Sequence, residues 1–360
     1  MAGAVALAGA GRDAPAPRHV VSAPNAARSS VSVPSSPAKL LGQRIMVGLP
    51  GTSADAALLA QIRAGRVGSV ILFAANIASS SQVRALTGSL QRAARQGGNP
   101  PLLIATDQEG GIVKRFPAGP PALAPRDLVH SGNPGIAATE GRRTGAYLKA
   151  RGVNWDLAPV VDVPTFGGAF IWQQGRAFSF NPRTVARYAT PFALGLQAAG
   201  VAATAKHFPG VGSAGVDTDN RHDELTPSAS QRRAALDPYR ALIPAGLYAV
   251  MLSTAGFPPY DATGTPAALS RRIVQGVLRG QLGFAGVAIT DSPLGSPTTS
   301  DEIGAGVRAA QAGADILLYT DSAPGELAAL ESALAAGRLS RSEAEASYVR
   351  IVSLKQRVAR

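Results

Sequence analysis

Between Ala205 and Pro227 the chain reads A-K-H-F-P-G-V-G-S-A-G-V-D-T-D-N-R-H-D-E-L-T-P. An apolar run, Val201–Ala205, delivers Lys206 and His207 before Pro209-Gly210 breaks it. A glycine-rich loop follows and carries Asp217, Asp219, His222, Asp223 and Glu224. Reactive groups are often held on loops that a rigid scaffold positions. A strand that ends in Lys-His and opens into a polar loop therefore has the form of an active-site rim. The competing reading is a solvated acidic loop. Asp107, Arg115, Arg176 and Asp291 complete the set of candidates. Carboxylates and basic side chains suit the recognition of polyols, with charged groups forking onto hydroxyls. They also suit glycosidic cleavage by a nucleophile with a proton donor.

Other chemistries lack their marks. The four histidines, at 19, 130, 207 and 222, form no H-x-H or H-E-x-x-H, so a zinc hydrolase has too few nitrogen ligands. There is no Walker loop, which leaves nucleotide cofactors unsupported, and no G-x-S-x-G elbow. The absence of cysteine excludes disulfides, thiolate metal sites and cysteine nucleophiles. No metal or cofactor is implied.

The elements that must position these groups alternate from Gly42 onward, short β-branched runs with alanine-rich helical stretches. The runs are Arg44–Leu49, Val67–Phe73, Pro101–Thr106, Val153–Leu157, Val201–Ala205, Ala249–Ser253, Gly286–Thr290 and Asp315–Tyr319. Helices are expected over 54–64, 81–95, 137–151, 183–199, 230–242, 270–281 and 301–312, with one or two more near 324–336 and 340–358. The runs are short and flanked by Gly or Pro, which separates them from helices. Eight strand–helix units with continuous apolar strands predict a closed parallel (β/α)8 barrel. An open doubly wound sheet is the alternative. It fits less well because polar residues follow nearly every strand: Asn76, Asp107, Asp156, Lys206 with His207, Thr254, Asp291 and Asp321. A barrel gathers all of these on one face, whereas an open sheet uses only those flanking a crevice.

The 360 residues are 46% hydrophobic, enough for one large core or two modest ones. No composition break interrupts residues 40–360, which read as one catalytic domain. Residues 1–39 read as a disordered segment or the remnant of a signal peptide and linker, small and apolar first, then rich in Pro, Ser, Ala and Arg. That tilts the expectation toward export; a cytoplasmic tail is the alternative. No apolar stretch approaches the roughly 20 residues of a membrane helix. The net charge of +12 comes from thirty arginines and five lysines. A basic surface favours anionic partners such as cell-wall polymers. Scattered basic residues and 5% aromatics argue against nucleic acid.

Six segments then stand in a telling order. They are Val67-Gly-Ser-Val-Ile-Leu-Phe73 with Asn76, Asp107-Gln-Glu-Gly-Gly-Ile-Val-Lys-Arg-Phe116, Asn154-Trp-Asp-Leu-Ala-Pro-Val-Val-Asp162, Gly175-Arg-Ala-Phe-Ser-Phe-Asn-Pro182, Lys206-His-Phe-Pro-Gly-x-Gly212 and Ile289-Thr-Asp291. Together they resemble glycoside hydrolase family 3, most of all its single-domain bacterial β-N-acetylhexosaminidases, over nearly all of 40–320. The resemblance implies a barrel, a carbohydrate substrate and a retaining mechanism. It implies that Asp291 is the nucleophile and that Asp107, Arg115, Arg176, Lys206 and His207 hold sugar hydroxyls. Glu109 is expected to support the Gly-Gly turn. Asp156 and Asp162 are expected to be structural, one orienting neighbours at the rim and the other capping a loop.

One loop departs from the pattern. The branch carries an Asp-Ser-His motif there, with histidine as proton donor and aspartate tuning it. The same spacing from Lys206 lands on Asp217-Thr218-Asp219, so Asp217 keeps the aspartate's place and Asp219 stands where histidine is expected. His222 lies three residues on, and Val211 and Thr254 occupy positions where the branch often has histidine. Three readings stay open: His222 as the acid/base, Asp219 as the acid/base through a raised carboxyl pKa, or no efficient acid/base. The last describes a homologue that binds glycans without efficient turnover, and a β-glucosidase is a further alternative.

Overall fold

A computed structural model describes residues 1, 3, 31–218, 223–291, 302–319 and 323–359. Val33–Arg360 forms one compact unit. Its eight main strands are β1 (Ile45–Val47), β2 (Ser69–Leu72), β3 (Leu103–Thr106), β4 (Trp155–Asp156), β5 (Ala202–Phe208), β6 (Ala249–Leu252), β7 (Val287–Thr290) and β8 (Leu317–Tyr319). From β1 to β7 each pairs in parallel with the next, and β8 pairs with β1. A parallel bridge between Ile289 and Ile316 joins β7 to β8 and closes the ring. The fold is the expected (β/α)8 barrel.

Closure follows from strands that are apolar on both faces. Met46, Ile71, Leu103, Ala105, Trp155, Leu157, Met251, Ile289 and Leu318 belong to one buried cluster, the packed interior that a barrel of this size requires. The C-terminal helix, Arg341–Val358, joins it through Ile351, Leu354 and Val358. The outer helices start where short polar side chains cap them. Ser79 Oγ accepts from Gln82 N, Asn181 Oδ1 accepts from Arg183 N ahead of Pro182, and Ser228 and Gln231 form a reciprocal capping box. Among the described residues no helix is long and apolar enough to cross a membrane.

Three features differ from the sequence reading. β5 runs on to Phe208, so Lys206 and His207 sit within the strand rather than past its end. A two-stranded hairpin, Gln108–Gly110 with Val113–Lys114, follows β3. Its turn is made by Gly110 and Gly111 at φ 97° and 60°, a region that glycine enters at little cost, and Ile112 at the tip is 72% exposed. Short helices at Pro37–Gly42, Pro125–His130 and Phe170–Gln173 carry too few residues to show a helical period.

Lys355 yields a test of the packing. Its ammonium position is fully buried, with Nζ donating to Gln43 Oε1 at 2.6 Å and Gly68 O at 2.7 Å. Burial lowers its pKa from 10.5 to about 7. Between those values the unfolded chain binds more protons than the folded one, so folding stability rises with pH across that window. Lys355→Met is expected to flatten this rise. Melting temperatures of both proteins at pH 6, 7.5 and 9 check it, and parallel curves would refute the assignment.

Candidate active site

The candidate residues meet at the C-terminal end of the barrel, lining a cleft of ≈ 460 Å³. Its floor is apolar, made by Ile71, Leu157, Met251 and Leu318, and its walls are charged. Asp107 leaves β3 directly, and Glu109 follows two positions on. Side chains alternate along extended chain, so both carboxylates face the cleft while Gln108 between them faces away. The Gln108 amide donates to Phe116 O and Pro120 O and accepts from Phe116 N, which fastens the hairpin to the loop beyond it.

Five charges interlock across this wall. Lys206 Nζ donates to Asp107 Oδ1 at 2.8 Å and to Glu109 Oε1 at 2.6 Å. Arg176 takes Glu109 in a two-pronged grip, Nε to Oε2 and Nη2 to Oε1, both at 2.8 Å. Arg115 Nη2 reaches Asp107 Oδ2 at 3.2 Å, with its guanidinium over the Phe73 ring. Burial pushes both carboxyls up, but Lys206 and Arg115 outweigh it at Asp107, and Arg176 and Lys206 outweigh it at Glu109, so both lie below the usual carboxylate range. Burial likewise presses Lys206 and Arg176 down, and the two carboxylates more than reverse it. Asp107, Glu109, Lys206 and Arg176 thus hold one another in their charged forms. Glu109 thus corrects the sequence reading: its carboxylate is part of the charged wall and does not serve the turn.

His207 belongs to a second group. Its Nδ1 lies 2.7 Å from Asp162 Oδ2, and its Nε2 lies 3.9 Å from Asp291 Oδ2 and 3.4 Å from Arg176 Nη2. Burial lowers the imidazole pKa, but the Asp162 charge and hydrogen bond, with Asp291 behind them, leave it raised. Asp162 also accepts from the backbone amides of His207 and Val211. It caps the loop as expected and in addition orients the ring. Asp291 follows β7, is 7% exposed, and is fixed by its amide donating to Leu252 O at 3.0 Å.

The loop after β5 is laid against the loop after β4. Thr165 N donates to Gly212 O, Phe170 N donates to Ala214 O, and a Cβ on Gly212 would meet Val163 O at 1.8 Å. Asp217 lines the same cleft, with Gln174 Nε2 3.3 Å from its Oδ2. Thr254 Oγ1 donates to Thr218 O at 2.9 Å, so this residue tethers the loop. Asp219, His222 and Asp321 lie outside the described residues. The structure therefore brings together Asp107, Arg115, Arg176, Lys206, His207, Asp217 and Asp291. It adds Glu109, Asp162 and Gln174, which the sequence reading did not place in the site.

Asp156 behaves differently from its neighbours. It is fully buried, and its Oδ1 accepts from Gln108 N at 2.9 Å, which orients the hairpin strand. Burial pushes its carboxyl well above the usual range, and the Gln108 bond and Lys206 offset only part of this. Burial thus favours its protonated form, which asparagine mimics as a neutral isostere. Asp156→Asn is expected to keep kcat/KM within about threefold and the melting temperature nearly unchanged, since no buried charge is lost. A tenfold loss in steady-state assays would show that the ionised form is needed.

Comparison with known proteins gives a consistent picture. The model of the glycosyl hydrolase family 3 N-terminal domain matches residues 39–354. A protein of Arthroderma benhamiae described as an uncharacterized secreted glycosyl hydrolase is 38% identical over 331 residues, which is 88% of this chain and 93% of that one. The structure of a glycoside hydrolase family 3 β-N-acetylglucosaminidase from Paenibacillus sp. superposes with a TM-score of 0.84 at 34% identity, over 89% of this chain. This chain spans only 62% of that protein's length. A β-N-acetylhexosaminidase from Beutenbergia cavernae superposes with a TM-score of 0.83 at 32% identity, covering 90% of this chain and 100% of that one.

Proposed function

The chain belongs to glycosyl hydrolase family 3, and we propose that it is a retaining β-glycosidase that removes β-linked N-acetylglucosamine from cell-wall-derived glycans. The observation that carries this reading is the position of Asp291. Its carboxylate faces a charged cleft, 3.9 Å from the His207 ring, at the end of a barrel strand. The names borne by the Paenibacillus and Beutenbergia structures support the choice of sugar.

In this mechanism the Asp291 carboxylate attacks the anomeric carbon. A C–O bond to the enzyme forms, the glycosidic C–O bond breaks, and the departing oxygen takes a proton from the acid/base. Water then displaces Asp291, giving up a proton to the same group, and the configuration at the anomeric carbon is retained. Asp107 accepts from sugar hydroxyls on the edge away from the scissile bond. Lys206, Arg115, Arg176 and His207 donate to them. Because Lys206 and Arg176 are already locked by Glu109, these donors need little reorganisation when sugar arrives. Asp217 is the aspartate that tunes the proton donor, and Asp219 or His222 is the donor itself.

The departure at Asp219 gives a second reading its footing, a homologue that binds glycans and turns them over poorly. The test is hydrolysis of paired aryl β-glycosides, the N-acetylglucosaminide and the glucoside, with product anomer followed by NMR. Turnover of the first with a β product supports the proposal. Preference for the glucoside makes the protein a β-glucosidase. Turnover of neither, despite a good leaving group, favours the binding homologue.

A further inference from the structure

We propose that Gln174 is a positioning residue that sets where the Asp217 carboxylate lies in the cleft. The inference rests on the glycosidase reading of that cleft. Gln174 is half-buried and lines the cleft beside Asp217. Its Nε2 stands 3.3 Å from Asp217 Oδ2, and its Oε1 accepts from Arg176 Nη1 at 3.2 Å. A guanidinium only donates and a carboxylate only accepts, so a single orientation of the amide satisfies both partners. Flipping it would set donor against donor and acceptor against acceptor.

Arg176 is itself immobilised by its two bonds to Glu109. A continuous line of hydrogen bonds therefore runs from the hairpin strand through Glu109, Arg176 and Gln174 to Asp217. The loop backbone is held from another direction, by Thr254 on Thr218 O. Thr254 fixes the main chain, and Gln174 fixes the carboxylate that the main chain carries. Among the described residues the amide bonds to the charged groups Asp217 and Arg176, and Glu109 and His207 contact Arg176 in turn.

The experiment measures kcat and KM for an aryl β-N-acetylglucosaminide from pH 4.5 to 8.5 in wild type, Gln174→Ala and Gln174→Glu, with a crystal structure of Gln174→Ala. Misplacing a catalytic group by about 1 Å can cost on the order of 10²-fold. Gln174→Ala is therefore expected to lower kcat at least about tenfold, with KM changed less than about threefold. In its crystal structure the Asp217 carboxylate should leave its place by about 1 Å or more. Gln174→Glu keeps the acceptor for Arg176 but sets carboxylate against carboxylate. At low pH the pair shares a proton and stays hydrogen-bonded; at higher pH both are charged and repel. This variant should track wild type near pH 5 and fall progressively behind it toward pH 8. The proposal is overturned by an unmoved Asp217 carboxylate in Gln174→Ala, or by wild-type kcat in that variant and a wild-type pH profile in Gln174→Glu. If wild type hydrolyses nothing, the glycosidase reading fails instead, and the crystal structure alone decides the role of Gln174.

Discussion

Asp291→Asn is expected to lose hydrolysis of an aryl β-N-acetylglucosaminide by on the order of 10⁴-fold or more, because removing a nucleophile removes the covalent route as a whole. The amide of asparagine is isosteric but cannot displace a glycosidic oxygen. Its backbone amide donates to Leu252 O, a bond the substitution leaves in place. A melting temperature matching wild type would therefore accompany the loss, and binding of N-acetylglucosamine, read by calorimetry, should persist. Unchanged turnover in the variant would sink the assignment of the nucleophile and with it the proposed mechanism.

Lys206→Met is expected to damage both stability and activity. The ammonium sits between Asp107 and Glu109, and its side chain is only 3% exposed. Methionine keeps the length and removes the charge, leaving two buried carboxylates facing one another. Breaking one partner out of a buried ionic group costs about 3–5 kcal/mol. Arg115 and Arg176 still serve the two acids, which puts the loss at the lower end. A hydrogen bond from a charged donor to a sugar hydroxyl contributes about 1.5–3 kcal/mol, so kcat/KM should fall roughly 10–100-fold beyond any unfolding. Thermal denaturation with steady-state kinetics below the melting range separates the two effects. Lys206→Arg is not a rescue, since a planar fork does not occupy the place of a compact ammonium. A variant as stable and active as wild type would mean that the charged wall is dispensable.

Much of this site was legible because a barrel turns chain position into spatial position. Asp107, Lys206, His207 and Asp291 each sit at or just past the end of an apolar run, and ends of parallel runs share one face. The residues that escaped did so for physical reasons. Glu109 stands before two glycines, and the turn signal of E-G-G masked the alternation that places it beside Asp107; the spacing of two was the clue. Asp162 meets His207 from 45 positions away, and nothing local marks that meeting. Gln174 is a neutral amide in a loop, a residue type whose role is set wholly by its partners. β5 outlasts its apolar run because its pairing with β6 resumes at Phe208, beyond the polar Lys-His step.

The contact between Gly212 and Val163 has a consequence for how such a protein can change. With no room for even a methyl group there, the segments after β4 and β5 cannot drift independently in evolution. One supplies Gln174 and Arg176, the other Asp217, and the two share a single seam. A chimaera that borrowed residues 209–218 from a relative without also borrowing 163–181 would inherit a mismatched seam. Exchanging the two loops together is expected to keep that seam intact.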